Sequence, residues 1–111
     1  MMEKNLTIEE LFALLKQKLK QRGDAAGDKN SYTNQLIEGG VEKITRKIGE
    51  EAVEVVIAAF LNDKHRSQKT RDDLIGEVCD LFYHNLVLLA SQDIELDEVL
   101  SELTKRNNRK K

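Results

Sequence analysis

No proline interrupts any of the 111 residues, so each segment with helical periodicity is free to run as an unbroken helix. From Val41 to Leu61 the residues Val41, Ile44, Ile48, Ala52, Val55 and Ala59 recur three or four apart and predict one continuous apolar stripe. From Arg71 to Ser91 apolar side chains, among them Leu74, Val78, Cys79, Phe82, Leu86 and Leu89, cover most of a helical circumference. That helix is expected to be the most buried element. With no tryptophan and only 5% aromatics, the composition favours helix over strand, and an all-α fold follows.

The remaining elements are read from start and stop signals. Thr7-Ile8-Glu9-Glu10 has the form of a capping box, with Leu6 and Leu11 on either side as a hydrophobic staple. Ile8, Leu11, Phe12, Leu15 and Leu19 continue that helix to a stop at Gly23. Gly23 to Asn30 lacks periodicity and reads as a loop. Ser31 caps a short helix that Gly39-Gly40 ends or kinks. A polar stretch from Asn62 to Gln68 separates the two long helices, with Thr70-x-x-Asp73 as a second capping box, and a final amphipathic helix runs from about Asp97 to Arg106. A bundle of about five helices in one domain, residues 1–106, with a frayed basic tail over 107–111, is therefore expected.

A formal charge of -2 leaves no global basic field to steer the protein to nucleic acid. One cysteine, Cys79, excludes an internal disulfide, and a charged start without a signal-like apolar segment points to the cytoplasm. No uninterrupted apolar run approaches the roughly 20 residues of a membrane span. So small a domain covers little of its apolar surface alone, and a homodimer is expected.

Chemistry is suggested by the acids. At roughly 100° per residue, Glu50, Glu51 and Glu54 share one arc, placed opposite Ile48, Val55 and Ala59, and Lys43 and Lys47 precede them in the same arc. On the second long helix Asp73, Glu77, Asp80 and His84 line up as one stripe on an otherwise apolar cylinder. Acids on an exposed helix are ordinarily weak surface ion-pair partners. Two acid stripes on helices that must pack together are costly to bury without a cation. Oxygen ligands without a cysteine or histidine cluster suit Mg²⁺, with Mn²⁺ possible, and disfavour zinc. Lysines beside such a metal are placed to meet phosphates, and the whole reads as a hydrolase site. Cys79, next to Asp80 without a base arranged for it, reads as core packing.

The pattern Glu50-Glu51-x-x-Glu54 followed by Glu77-x-x-Asp80 resembles the signature of the all-α nucleoside triphosphate pyrophosphohydrolases of the MazG-type fold. More narrowly, Ser31-Tyr32-Thr33, Gly40-x-x-Lys43-Ile44-x-x-Lys47-Ile48-Gly49-Glu50-Glu51-Ala52-x-Glu54 and Asp80-Leu81-x-Tyr83-His84 resemble the phosphoribosyl-ATP pyrophosphatase family of histidine biosynthesis, over nearly the whole chain. The resemblance implies hydrolysis of phosphoribosyl-ATP to phosphoribosyl-AMP and pyrophosphate, with ATP-like nucleotide binding. It implies magnesium on Glu51, Glu54, Glu77 and Asp80, with Glu50 either a further ligand or the group that activates water. Tyr32, Thr33 and His84 are implied as substrate contacts, against readings as a cap, a core tyrosine and a satisfied core histidine. No segment is left for a cyclohydrolase, so the next step is expected to fall to a separate phosphoribosyl-AMP cyclohydrolase. The competing expectations are a housecleaning pyrophosphatase for deoxynucleotides and a non-catalytic helical module whose acids bind a basic partner.

Overall fold

Thr7 opens the first helix as its sequence suggests. Its hydroxyl accepts from the Glu10 amide at 3.0 Å while the Glu10 carboxylate accepts from the Thr7 amide at 2.9 Å, the reciprocal satisfaction of two otherwise orphaned donors. The computed structural model describes residues 4–20 and 31–109. The expected loop at Gly23–Asn30 and the last two residues of the expected tail lie outside them. Among the described residues there are four helices and no strand: α1 (Ile8–Lys20), α2 (Tyr32–His65), α3 (Gln68–Ser91) and α4 (Leu96–Arg109). An all-α fold is thus found. The fourth helix outruns its expected end, so Asn107 to Arg109 are helical rather than frayed.

The expected short helix after Ser31 and the long one from Val41 form one kinked element. Ser31 caps it by accepting from the Asn34 amide at 3.1 Å. Gly40 supplies the bend with φ 75° and ψ -169°, a conformation that only glycine adopts without strain. Gly40→Ala is accordingly expected to destabilise the fold by about 1–3 kcal/mol, seen as a lower midpoint in denaturant titration with an unchanged slope. An unaltered midpoint would mean that the bend is not held in the native state.

The break between α2 and α3 is much shorter than its polar sequence suggests. Polar residues alone do not stop a helix, and α2 continues through Asn62 to His65. It ends only where Arg66 turns left-handed at φ 51° and gives its amide to the Asn62 carbonyl. Ser67 then caps α3 in a reciprocal box with Thr70, each hydroxyl accepting the other's amide at 3.1 Å. Thr70 is therefore the inner member of that box, and the expected Thr70/Asp73 box is replaced by it. So tight a turn returns α3 antiparallel to α2, and the Thr70 hydroxyl reaches Asn62 Oδ1 at 3.1 Å across the pair.

The core gathers at one end. Phe12 and Leu15 of α1, Leu36 and Ile44 of α2, Leu86, Val87 and Ala90 of α3 and Leu96 of α4 pack into one buried cluster. Lys16 ties α1 to the α3–α4 turn through Glu95 at 2.7 Å. The other end is a bare hairpin. Val53, Val56, Ile57 and Phe60 make an outward stripe on α2, with Phe60 73% exposed, and Ile75 and Phe82 are exposed on α3. Helix α3 is therefore not buried along its length, contrary to expectation; only its second half is enclosed, by α1 and by the bent start of α2. By length and composition alone α3 is apolar enough to cross a membrane, at mean hydropathy 1.3. The central helix of a bundle has the same composition, and α3 packs chiefly on α2.

A carboxylate cluster beside an aromatic concavity

Helix α2 carries apolar residues on more than one face, and packing against α3 decides which face turns inward. The inner line is Ile44, Ile48, Glu51, Val55 and Ala58, whereas Val41, Ala52 and Ala59 are exposed. This corrects the expectation that the α2 acids stand opposite the apolar stripe. Glu51 is a member of that stripe, only 9% exposed, and it faces α3 where Glu77 and Asp80 pass.

Glu51, Glu77 and Asp80 each offer a carboxylate oxygen, and the three atoms lie within 4.8 Å of one another. Glu51 Oε2 and Glu77 Oε2 are enclosed and have no hydrogen-bond partner. Ionised carboxylates only accept, so two of them turned to each other satisfy neither. Burial, and after it the charge of Glu54, pushes the Glu51 carboxyl above its ordinary range. A shared proton with Glu54, followed by desolvation and the Glu54 charge, raises Glu77 from 4.5 to about 7. Glu54 stands on Glu77's other side, and both line a cavity of about 210 Å³ with Ile57, Ala58 and Leu61. Glu50 is not in this group; it is exposed and meets Lys47 at 3.5 Å.

A divalent cation fits the arrangement. Magnesium at about 2.0–2.1 Å from each ligand spans opposite oxygens about 4.2 Å apart, so small side-chain rotations bring the cluster to that spacing. The enclosed, donor-free oxygens are acceptors that a cation would satisfy.

Both raised carboxyls bind their protons more tightly in the folded chain than in the unfolded one. Their contribution to stability is thus complete below the ordinary value of 4.5 and is lost as pH rises above it, that of Glu77 as pH passes through about 7. In chelator, the melting temperature is expected to fall between pH 5 and pH 8, and Glu77→Gln is expected to flatten that fall. A pH-independent melt of the parent protein would contradict the reading.

On the other side of the acids lies a concavity of about 540 Å³ lined by Leu11, Tyr32, Glu51, Cys79, Asp80, Tyr83 and His84. Cys79, expected in the core, is exposed on its wall, because the first half of α3 is covered on one side only. Tyr32 is 44% exposed and stacks on Tyr83 at 6.2 Å, with both rings edge-on to His84. Thr33 is buried and bonded to the Tyr83 hydroxyl, within the packing of the wall. His84 is 4% exposed; Nδ1 donates to the Asp80 carbonyl at 2.7 Å and Nε2 meets the Tyr32 hydroxyl at 2.6 Å. It too is a satisfied interior residue. Lys43 lies with its stem over Gly39, where a Cβ would come within 2.5 Å of its Cδ. Lys47 carries its charge near the Tyr32 phenol. Tyr83 and Leu11 were not singled out by spacing. Tyr83 stood inside the Tyr-His motif, but Leu11 reaches the concavity only through the packing of α1.

Residues 4–107 match the family described as phosphoribosyl-ATP pyrophosphohydrolase. The chain is similar to the phosphoribosyl-ATP pyrophosphatase of Clostridium novyi, 41% identical over 102 residues, which are 92% of this chain and 82% of that one. It is similar to that of Clostridium botulinum, 38% identical over 97% of this chain and 87% of the relative. The enzyme of the same name from Roseobacter denitrificans is 41% identical over 93% of this chain and 87% of its own length. The acid cluster, the Ser31-Tyr32-Thr33 element and the Tyr83-His84 pair all fall within the matched residues, and the chain belongs to the phosphoribosyl-ATP pyrophosphohydrolase family.

Proposed function

We propose that the protein hydrolyses phosphoribosyl-ATP between its α and β phosphates, giving phosphoribosyl-AMP and pyrophosphate, the second step of histidine biosynthesis. The observation that carries this is the pair of enclosed, partnerless oxygens on Glu51 and Glu77 beside a nucleotide-sized aromatic concavity, in a chain of this family. Glu51, Glu77 and Asp80, joined by Glu54, would hold Mg²⁺, with Mn²⁺ as the alternative. When bound, the ion supplies charge for the phosphates and a more acidic water beside them.

The protein's own groups do the rest. Lys47 and Lys43 neutralise phosphate oxygens as point charges. Tyr32 and Tyr83 flank the nucleoside end. Glu50 stands outside the cluster, paired with Lys47, which favours it as the water-activating group over a ligand. The enzyme acts in the cytoplasm as a homodimer of MazG-type bundles, with the stripe of Val53, Val56, Ile57 and Phe60 covered by a second copy, since apolar surface so contiguous is rarely left in water. A separate phosphoribosyl-AMP cyclohydrolase consumes the product.

Incubation with phosphoribosyl-ATP and Mg²⁺ is expected to yield pyrophosphate and phosphoribosyl-AMP in equal amounts. Single phosphates as products would refute the reading, and faster turnover of any deoxynucleoside triphosphate in a panel would replace it with a housecleaning pyrophosphatase.

A further inference from the structure

Helix α1 is tied to the bundle on one flank and lines the concavity with the other. Lys16 Nζ lies 5.7 Å over the buried Phe12 ring and donates to both Glu95 oxygens, at 2.7 and 2.8 Å. Every other ion pair among the described residues lies within one helix or at its cap, so among them only this one ties separate parts of the fold. Its far end is fixed: the Glu95 amide donates to the Glu98 carboxylate at 2.9 Å, and the next residue, Leu96, is buried in the core. Leu11 and Lys16 stand about 140° apart around α1, with the buried Phe12 and Leu15 between them. Leu11 is the flank on the wall of the concavity, which it shares with Asp80 and Tyr83.

We propose that Lys16 and Glu95 are positioning residues for substrate binding: their ion pair fixes the roll of α1, and with it the place of Leu11 on the wall of the concavity. Phe12 and Leu15 hold α1 on the core, but apolar burial is non-directional, whereas a charge pair anchored at both ends sets an angle. A roll of about 10° at a side-chain radius of about 5–6 Å moves Leu11 by about 1 Å. A gap of about 1 Å forfeits up to about half of the dispersion attraction across it. Neither Lys16 nor Glu95 lines the concavity, so their effect reaches substrate only through Leu11. The inference rests on the proposed function in taking the concavity as the place of the nucleotide, but not for the tie itself.

Steady-state kinetics with phosphoribosyl-ATP and Mg²⁺ test it. Lys16→Met keeps a stem over Phe12 and removes the charge, and Glu95→Gln removes the other charge. Each is expected to raise KM about threefold, the size of an exposed pair's contribution, with kcat unchanged. Lys16→Glu combined with Glu95→Lys restores the pair in reverse and is expected to bring KM back to about the parent's value. Leu11→Ala is expected to raise KM as well, and Lys16→Met added to it to raise KM no further, since both act through one contact. Single variants with the parent's KM, a swap no better than either single change, or a Lys16→Met effect that multiplies in full with that of Leu11→Ala would overturn the proposal. Should Leu11→Ala fail to fold, the swap decides. A parent enzyme inactive on phosphoribosyl-ATP would refute the proposed function. The tie would then be judged by amide hydrogen exchange, which is expected to quicken along α1 in Lys16→Met; unchanged exchange would overturn it.

Discussion

Glu51→Gln and Asp80→Asn are each expected to reduce pyrophosphate release from phosphoribosyl-ATP by about 10³-fold or more, equivalent to about 4 kcal/mol of transition-state stabilisation, with the helical circular dichroism signal retained. Each removes a negative oxygen from a cluster whose members lie within 4.8 Å of one another without changing side-chain volume. The amide also relieves repulsion in the metal-free protein, so both variants are expected to melt no lower than the parent in chelator. Loss of activity together with a lower melt would instead identify these acids as structural ion-pair partners. Glu50→Gln separates the roles further. Standing outside the cluster beside Lys47, it is expected to lower kcat while leaving the Mg²⁺ concentration for half-maximal activity unchanged. A large increase in that concentration would place Glu50 among the ligands.

The second large effect concerns the bare hairpin. Ile57→Asp with Phe60→Asp sets two charges in the middle of the outward stripe, at positions 54% and 73% exposed in the single chain. On a monomer such surface changes cost little. In a dimer they bury unpaired carboxylates in an apolar seam, and the assembly is expected to dissociate, with sedimentation at the mass of one chain and a marked fall in thermal stability. A parent protein that already sediments as a monomer would refute the dimer. The cavity shared by Ile57, Leu61 and the acids Glu54 and Glu77 lies against the same stripe, so dissociation is also expected to lower activity.

How far the residues alone reached can be seen at particular positions. The Thr7 and Ser31 caps were legible because capping is local: a hydroxyl, an amide three residues on and little else. The Ser67 cap was missed because two overlapping boxes, Ser67/Thr70 and Thr70/Asp73, satisfy the same rule, and only the left-handed turn at Arg66 chooses between them. The acids were legible as a set, since their spacing and their apolar surroundings do not depend on partners. Their orientation was not. With apolar residues on two faces of α2, periodicity yields a stripe on either, and the face bearing Glu51 turned inward only because α3 packs there.

By itself the sequence determined an all-helical chain, an acid stripe on each of the two long helices and, through its motifs, the family to which it belongs, because each rests on spacing within one helix or on matched letters along the chain. Only the tertiary structure decided that Glu51 is enclosed while Glu50 is not, that Cys79 is exposed and that Thr33 and His84 are satisfied inside the wall. The decisive step is the bend at Gly40. Antiparallel pairing sets Glu51 against Glu77 and Asp80, and a straight α2 would carry Tyr32 well past His84. The bend instead folds it back, joining two residues 52 positions apart in a 2.6 Å hydrogen bond, a contact that no periodicity encodes.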